Sequence, residues 1–334
     1  MWMTDLPAFV PFFIAALLAL ITRGWLRNLI MLATPVLGGI HLWVDVSPGI
    51  VTAVSSMDYE LILMRADRLS LLFGYIFHIA AFIAAIFALH VRDTTQTVSS
   101  LLYAGSGLGA VFAGDLITLF IFWELLAISS VFLIWAGRSE RAIHSGMRYL
   151  VIQVSSGMLL LAGALVQYYQ TGSLAFDFIG LEGISGWLIF LAFGIKCAFP
   201  LLHNWLTDAY PEATPTGTVF LSVFTTKVAV YALARGFPGT ELLVYIGAVM
   251  TCFPIFYAVI ENDLRRVLAY SLINQLGFMV CGIGLGTALA LNGTVAHAFS
   301  HILYKALLFM SMGAVLYRAG TIKASDLGGL YKSM

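Results

Sequence analysis

The chain has 334 residues, of which 60% are apolar and only 10% charged, with 17 basic residues balanced by 17 acidic ones and a mean hydropathy of +0.94. A soluble domain carries roughly 25% charged residues, so this composition excludes an ordinary soluble enzyme and places the chain among integral membrane proteins, with no nucleic-acid partner expected. The three cysteines, Cys197, Cys252 and Cys281, stand singly inside apolar runs. Without CxxC or Cys/His spacing, no disulfide framework, zinc site or iron–sulfur site is expected.

Apolar runs long enough to span a bilayer recur about eleven times. In chain order they cover residues 7–22, 28–45, 69–90, 98–113, 115–136, 143–167, 186–205, 215–234, 241–260, 265–287 and 293–317. The predicted fold is therefore an all-α, polytopic membrane protein. The flank of the first run, MWMTDLP, carries Asp5 and no basic residue, and no small-x-small cleavage site follows. It reads as a retained helix rather than a signal peptide.

Eleven crossings sort the loops onto two sides. One side receives Arg23, Arg27, Arg92, Arg138, Arg141, Arg148, Arg265, Arg266, Arg318, Lys323 and Lys332, and the other only Arg65, Arg68 and Arg235. The positive-inside rule makes the first side cytoplasmic, with the N-terminus outside the cell (plasma) membrane and the C-terminus of this chain inside. The three basic residues left over, Lys196, Lys227 and Lys305, fall within spans.

The fifth run, DLITLFIFWELLAISSVFLIW, begins at Asp115 and holds the one deep carboxylate, Glu124. A lone membrane carboxylate is either protonated or paired with a cation. The three buried lysines favour pairing. Lys196 and Lys227 each lie near the middle of an apolar run, where a charged lysine costs on the order of 3 kcal/mol. Snorkelling to the interface is the alternative, but both lysines are too deep for the stem to reach water. Pro200 follows Lys196 closely, and a proline interrupts helix at and before its own position, so the seventh run is expected to break beside its charge.

In the last run, HAFSHILYKALLFMSMGAVLY, His297, His301 and Lys305 recur at i, i+4 and i+8. They share one helix face and climb about 12 Å along it. Imidazoles titrate near neutral pH and both donate and accept, so this stripe is suited to passing protons within the membrane. The other readings are three side chains hydrogen-bonded to neighbouring helices, or a metal site, which two histidines without a carboxylate or cysteine support poorly. Gly105, Gly107 and Gly109, with Gly282, Gly284 and Gly286, lack the strand and spacing of a nucleotide fingerprint and read as helix-packing positions. Trp123 reads as ordinary for a lipid-facing or packed surface. Asn274 and Gln275 suit either interhelical hydrogen bonds or a polar path.

The stretch KCAFPLLHNWLTDAYPEATPTGTVFLSVFTTKVAVYAL is similar to the signature of the antiporter-like membrane subunits shared by respiratory complex I, membrane-bound hydrogenases and Mrp-type cation/proton antiporters. FWELLAISS, DLRRVLAYSLINQLGFM and HAFSHILYKALLFMSMGAVLY resemble it too. The resemblance covers roughly residues 95–332, and within the superfamily the wording is most similar to the D-type member of the Mrp antiporters. It implies two inverted five-helix repeats, each with a broken helix: N-terminal helices over residues 1–94, a first repeat over 95–236, and a partial second repeat over 237–334. The second broken helix and its terminal charged residue are missing, so a fragment of a longer protein is expected, or completion by another chain.

By the same resemblance Glu124, Lys196, Lys227, His297, His301 and Lys305 form a proton relay, in which movement of Glu124 relative to Lys196 changes that lysine's hold on its proton. The relay would sit in a complex with other membrane subunits that handles H+ together with Na+ or another monovalent cation. No motif for a flavin, iron–sulfur cluster, nicotinamide or quinone is present, and the chain itself is expected to make or break no bond. Two classes of function are open: a subunit of a sodium/proton antiporter, or the proton-pumping membrane subunit of an NADH-quinone oxidoreductase or hydrogenase whose redox chemistry lies in other chains.

Overall fold

A computed structural model describes residues 6–56, 59–332 and 334. Residues 1–5, Asp5 among them, 57, 58 and 333 lie outside the described residues. The chain opens with helices α1 (Val10–Ile21) and α2 (Trp25–Val44), followed by an antiparallel hairpin of β1 (Gly49–Ser56) and β2 (Tyr59–Ala66). Helices α3 (Arg68–Phe87), α4 (Thr94–Phe112), α5 (Leu116–Trp135) and α6 (Glu140–Thr171) come next. They are followed by α7 (Gly183–Lys196), the short α8 (Asn204–Ala209), α9 (Pro215–Val223) and α10 (Thr225–Gly236), then α11 (Leu242–Ile260), α12 (Leu264–Leu285) and α13 (Ala288–Ala319).

All eleven apolar runs fall on helices. Only seven helical segments among the described residues are both long and apolar enough to qualify as membrane spans on their own. The shortfall has local causes. Helices α1 and α7 have 12 and 14 residues, short of the ~20 a bilayer requires; α7 is cut off at Lys196. Helices α2 and α4 are diluted by polar and glycine residues, TTQTVSS in α4 and a central Gly38–Gly39 in α2. The hairpin is the one departure from an all-helical chain among the described residues. Strand β2 docks where Gly114 donates its backbone N–H to the Ile62 carbonyl (3.0 Å) and the Ile62 N–H reaches the Asp115 carboxylate (2.7 Å).

The helix ends follow from the sequence. Asp93, Asp115, Ser139, Thr214, Asp263 and Thr287 each cap a helix by accepting from its first free N–H groups. Gly172 and Gly320 close α6 and α13 in the left-handed conformation. These caps recur at a fixed interval. Helices α4, α5 and α6 start at Thr94, Leu116 and Glu140, and α11, α12 and α13 start 148 residues later at Leu242, Leu264 and Ala288. Both α6 and α13 are 32 residues long. Backbone bonds repeat with them: the Leu116 N–H reaches the Leu174 carbonyl at 2.9 Å, and the Leu264 N–H the Ile322 carbonyl at 3.1 Å.

The centre of the bundle is the α9–α10 rod. Over Pro215–Gly236, 94% of the most apolar window is buried, against 22% for α11 and 33% for α13, whose outer faces are left to lipid or other chains. Glycines let the helices close around this rod. A Cβ at Gly107 would stand 2.8 Å from the Phe224 ring, and one at Gly105 2.9 Å from Phe12 Cβ, so the first glycine cluster is a packing feature.

Arg265, expected in a cytoplasmic loop, is instead only 5% exposed. It sits in the first turn of α12 and donates to the Ala213 carbonyl (2.7 Å) and the Thr218 hydroxyl, tying the α8–α9 turn to the later helices.

Candidate functional site

Helix α7 stops at Lys196 because Ala198 (φ 61°) and Leu201 (φ 69°) take left-handed backbone conformations around Pro200. Such conformations are costly for residues other than glycine. The carbonyls freed by the break are recovered locally. The Trp205 indole donates to the Ile195 carbonyl (2.9 Å), and the Phe199 N–H to the Gly194 carbonyl (3.0 Å).

Lys196 itself is 0% exposed. Its ammonium donates to the Trp123 carbonyl on α5 (2.8 Å) and lies 4.4 Å from the centre of the Trp123 ring, where the negative face of the π system favours a cation. The ring is fixed in turn, since the Trp123 indole donates to the Ser156 hydroxyl (3.0 Å), which donates to the Ala192 carbonyl (2.7 Å). Trp123, read from sequence as lipid-facing or packed, thus joins α5, α6 and α7 around the lysine.

Glu124 follows Trp123 and is half-buried, with Oε1 sealed from solvent and without a hydrogen-bond partner. Its carboxyl rests on Gly157 of α6, in the space a side chain there would fill. The expected pairing with Lys196 takes no direct form: among the described residues neither group joins an ion pair. The two groups act on each other through their charges, with the Trp123 residue adjoining both.

Lys227 occupies a second interruption. Phe224 separates α9 from α10, and the missing helix bonds leave carbonyls free. The Lys227 ammonium donates to the Ser222 carbonyl at 2.7 Å, and the Tyr210 hydroxyl to the Leu221 carbonyl at 2.9 Å. On the far side of the gap the Thr225 N–H donates to the Tyr103 hydroxyl (3.0 Å). Every group exposed by the break that these bonds reach is matched by a buried side chain, which holds the break open in an apolar surrounding.

Helix α13 packs along α9 and brings the third group to the same core. Lys305, again 0% exposed, donates to the Ser271 hydroxyl on α12 at 2.9 Å. The His297 and His301 rings are 6.0 Å apart and nearly parallel, and His301 lies edge-on to Tyr304 at 5.1 Å. Both His301 nitrogens are buried without a partner. Asn274 and Gln275 join α12 to both neighbours: the Tyr304 hydroxyl of α13 donates to Gln275 (2.9 Å) and the Asn274 amide to the Thr251 carbonyl of α11 (2.6 Å), while within α12 the Gln275 amide donates to Asn274 (2.8 Å).

The arrangement is three buried lysines, each held by a neutral oxygen, on helices that meet around one rod. A lysine held this way has no contact counter-charge to leave before it could release a proton.

A family profile described as NADH:quinone oxidoreductase/Mrp antiporter, TM, matches residues 113–334. The D component of the Na(+)/H(+) antiporter of Alkalihalophilus pseudofirmus is 28% identical over 98% of this chain and 73% of its own length. The N component of the NADH-quinone oxidoreductase of Desulforudis audaxviator is 32% identical, over 73% of this chain and 53% of its own length. Among solved structures, a chain of the Mrp complex from Dietzia sp. DQ12-45-1b superposes with a TM-score of 0.84 at 25% identity, over 98% of this chain and 67% of that one. A chain of an archaeal membrane-bound sulfane sulfur reductase shares the fold, with a TM-score of 0.84 at 24% identity, over 96% of this chain and 72% of that one. The chain is a multi-pass membrane protein and belongs to the NADH:quinone oxidoreductase/Mrp antiporter family.

Proposed function

We propose that this chain is the proton-translocating membrane subunit of a multisubunit monovalent-cation/proton antiporter, with Na+ as the coupled cation and Glu124, Lys196, Lys227, His301, Lys305 and His297 as the relay. The observation that carries the reading is the set of three fully buried lysines bonded to the Trp123 carbonyl, the Ser222 carbonyl and the Ser271 hydroxyl. Buried cations that form no contact ion pair are retained against a cost of several kcal/mol. A packing role gives no return for it. Residues 95–236 and 237–334 are read as a first repeat and the start of a second, supported by the 148-residue interval between their helix starts. An odd number of crossings in the first repeat inverts the second. The excess of basic residues on one side supports a plasma-membrane orientation with the N-terminus outside.

The second reading, a proton-pumping subunit of a redox complex, draws on relatives such as the N component of the quinone oxidoreductase. One experiment separates the two. In inside-out vesicles holding the complete complex, adding Na+ to an established acid load should release the acid with no electron donor present, and vesicles lacking this chain should not respond. Acid movement that appears only while a donor is being oxidised would replace the antiporter reading with the redox one.

A further inference from the structure

Counting back 148 residues from His297, His301 and Lys305 on α13 gives Tyr149, Gln153 and Gly157 on α6. The two stripes occupy corresponding faces. The Tyr149 hydroxyl meets the Ser130 hydroxyl of α5 at 2.7 Å, and the His297 ring meets Phe278 of α12 at 6.2 Å; Ser130 and Phe278 are separated by the same 148 residues. One turn along, Gln153 and His301 are both 0% exposed, and in both the two polar side-chain atoms are buried without a hydrogen-bond partner.

At the third position the stripes differ in which helix supplies the ionisable group. Lys305 fills its place from α13 and reaches Ser271 of α12. Gly157 leaves its place empty, and Glu124 of α5 fills it: a Cβ on Gly157 would stand 2.6 Å from the Glu124 carboxyl carbon and 3.2 Å from its Cγ. Residues four apart on a helix are neighbours, so Gln153 lies between the Glu124 carboxylate on one side and the Tyr149–Ser130 hydroxyl pair on the other.

We infer that Tyr149, Gln153 and the Glu124 carboxylate seated on Gly157 form a second buried polar ladder, the counterpart of His297, His301 and Lys305, in which Gln153 is a positioning residue of the relay. The inference rests on the relay reading above. An amide donates through its N–H and accepts through its oxygen but takes up no charge. Gln153, unbonded in this structure, is therefore placed to donate to one neighbour and accept from the other as a proton passes, whereas the histidine at the matching place can also carry the proton. A residue serving only to pack would be apolar here, because an unpartnered amide is costly to bury and an apolar replacement of similar shape is neutral or stabilising.

The test is acid release driven by Na+ in vesicles carrying the complete complex. Gln153→Leu should lower the rate about tenfold, the size of one hydrogen bond made during transfer, with the complex assembled to the wild-type level. Gln153→His, which restores a donor and an acceptor, should bring the rate back towards wild type. A wild-type rate in Gln153→Leu, or a rate in Gln153→His no better than in Gln153→Leu, would overturn the inference. Should Gln153→Leu fail to assemble, Gln153→Met, unbranched and of the same length, is judged by the same outcomes. Lys227→Ala serves as the reference: if it also retains exchange, the relay reading has failed, and if it alone loses exchange, only the role of Gln153 has.

Discussion

Lys196→Ala and Lys227→Ala are each expected to reduce proton translocation to the background leak while the complex still inserts and assembles. The energetics point to that separation. Removing either side chain leaves one buried carbonyl, of Trp123 or Ser222, without its donor, which costs about 1 to 3 kcal/mol. It also removes a cation whose presence in the membrane costs on the order of 3 kcal/mol. The two terms are of similar size and opposite sign, which leaves the cavity of the truncated side chain as the main loss of stability. Transport has no such compensation, since the proton-holding group has gone. The check is acid release in vesicles at matched expression, and near wild-type flux in either variant contradicts it.

Glu124 and Lys196 are expected to be energetically coupled, but less strongly than a contact ion pair. Severing a buried pair typically costs about 3 to 5 kcal/mol. Here the ammonium is held by the carbonyl and ring of Trp123, and the carboxyl rests against Gly157. Two unit charges in contact at about 4 Å interact by about 4 kcal/mol at an effective dielectric near 20, and the interaction weakens as they separate. A double-mutant cycle of Glu124→Gln and Lys196→Met, read as stability in detergent, should therefore give a coupling of about 1 to 2 kcal/mol. Additivity within about 0.5 kcal/mol would show that the two do not interact, and Glu124 would then act with another partner.

Most of the helices and the ionisable residues are legible in the sequence for one reason: a lysine inside a long apolar run has no ordinary explanation. What those lysines bond to is not legible. Their acceptors are the Trp123 and Ser222 carbonyls and the Ser271 hydroxyl. A backbone carbonyl freed by a helix break leaves no mark in residue type. Pro200 announces the break in α7, but nothing comparable announces the one at Phe224, inside a continuous apolar run. Arg265 misleads in the opposite direction, because its neighbours Asp263 and Arg266 make the segment read as loop while tertiary packing buries it in the first turn of α12. Gln153 gives no signal, being one uncharged residue in YLVIQVSSG. The 148-residue interval survives in the caps, Asp115 with Asp263, Ser139 with Thr287 and Gly172 with Gly320. The residues between them have diverged until Gly157 matches Lys305.

Passage of protons through the buried lysines, rather than merely past fixed charges, requires side chains that can let a proton go. Arginine in place of lysine keeps the cation but does not give up its proton at any pH a cell meets. The decisive measurement is Na+-driven acid release by complexes carrying Lys196→Arg or Lys227→Arg, compared at equal assembly with wild type. The account predicts assembled complexes with no exchange above the leak. Exchange at the wild-type rate in either variant would contradict it, by showing that a permanent positive charge at that position is enough.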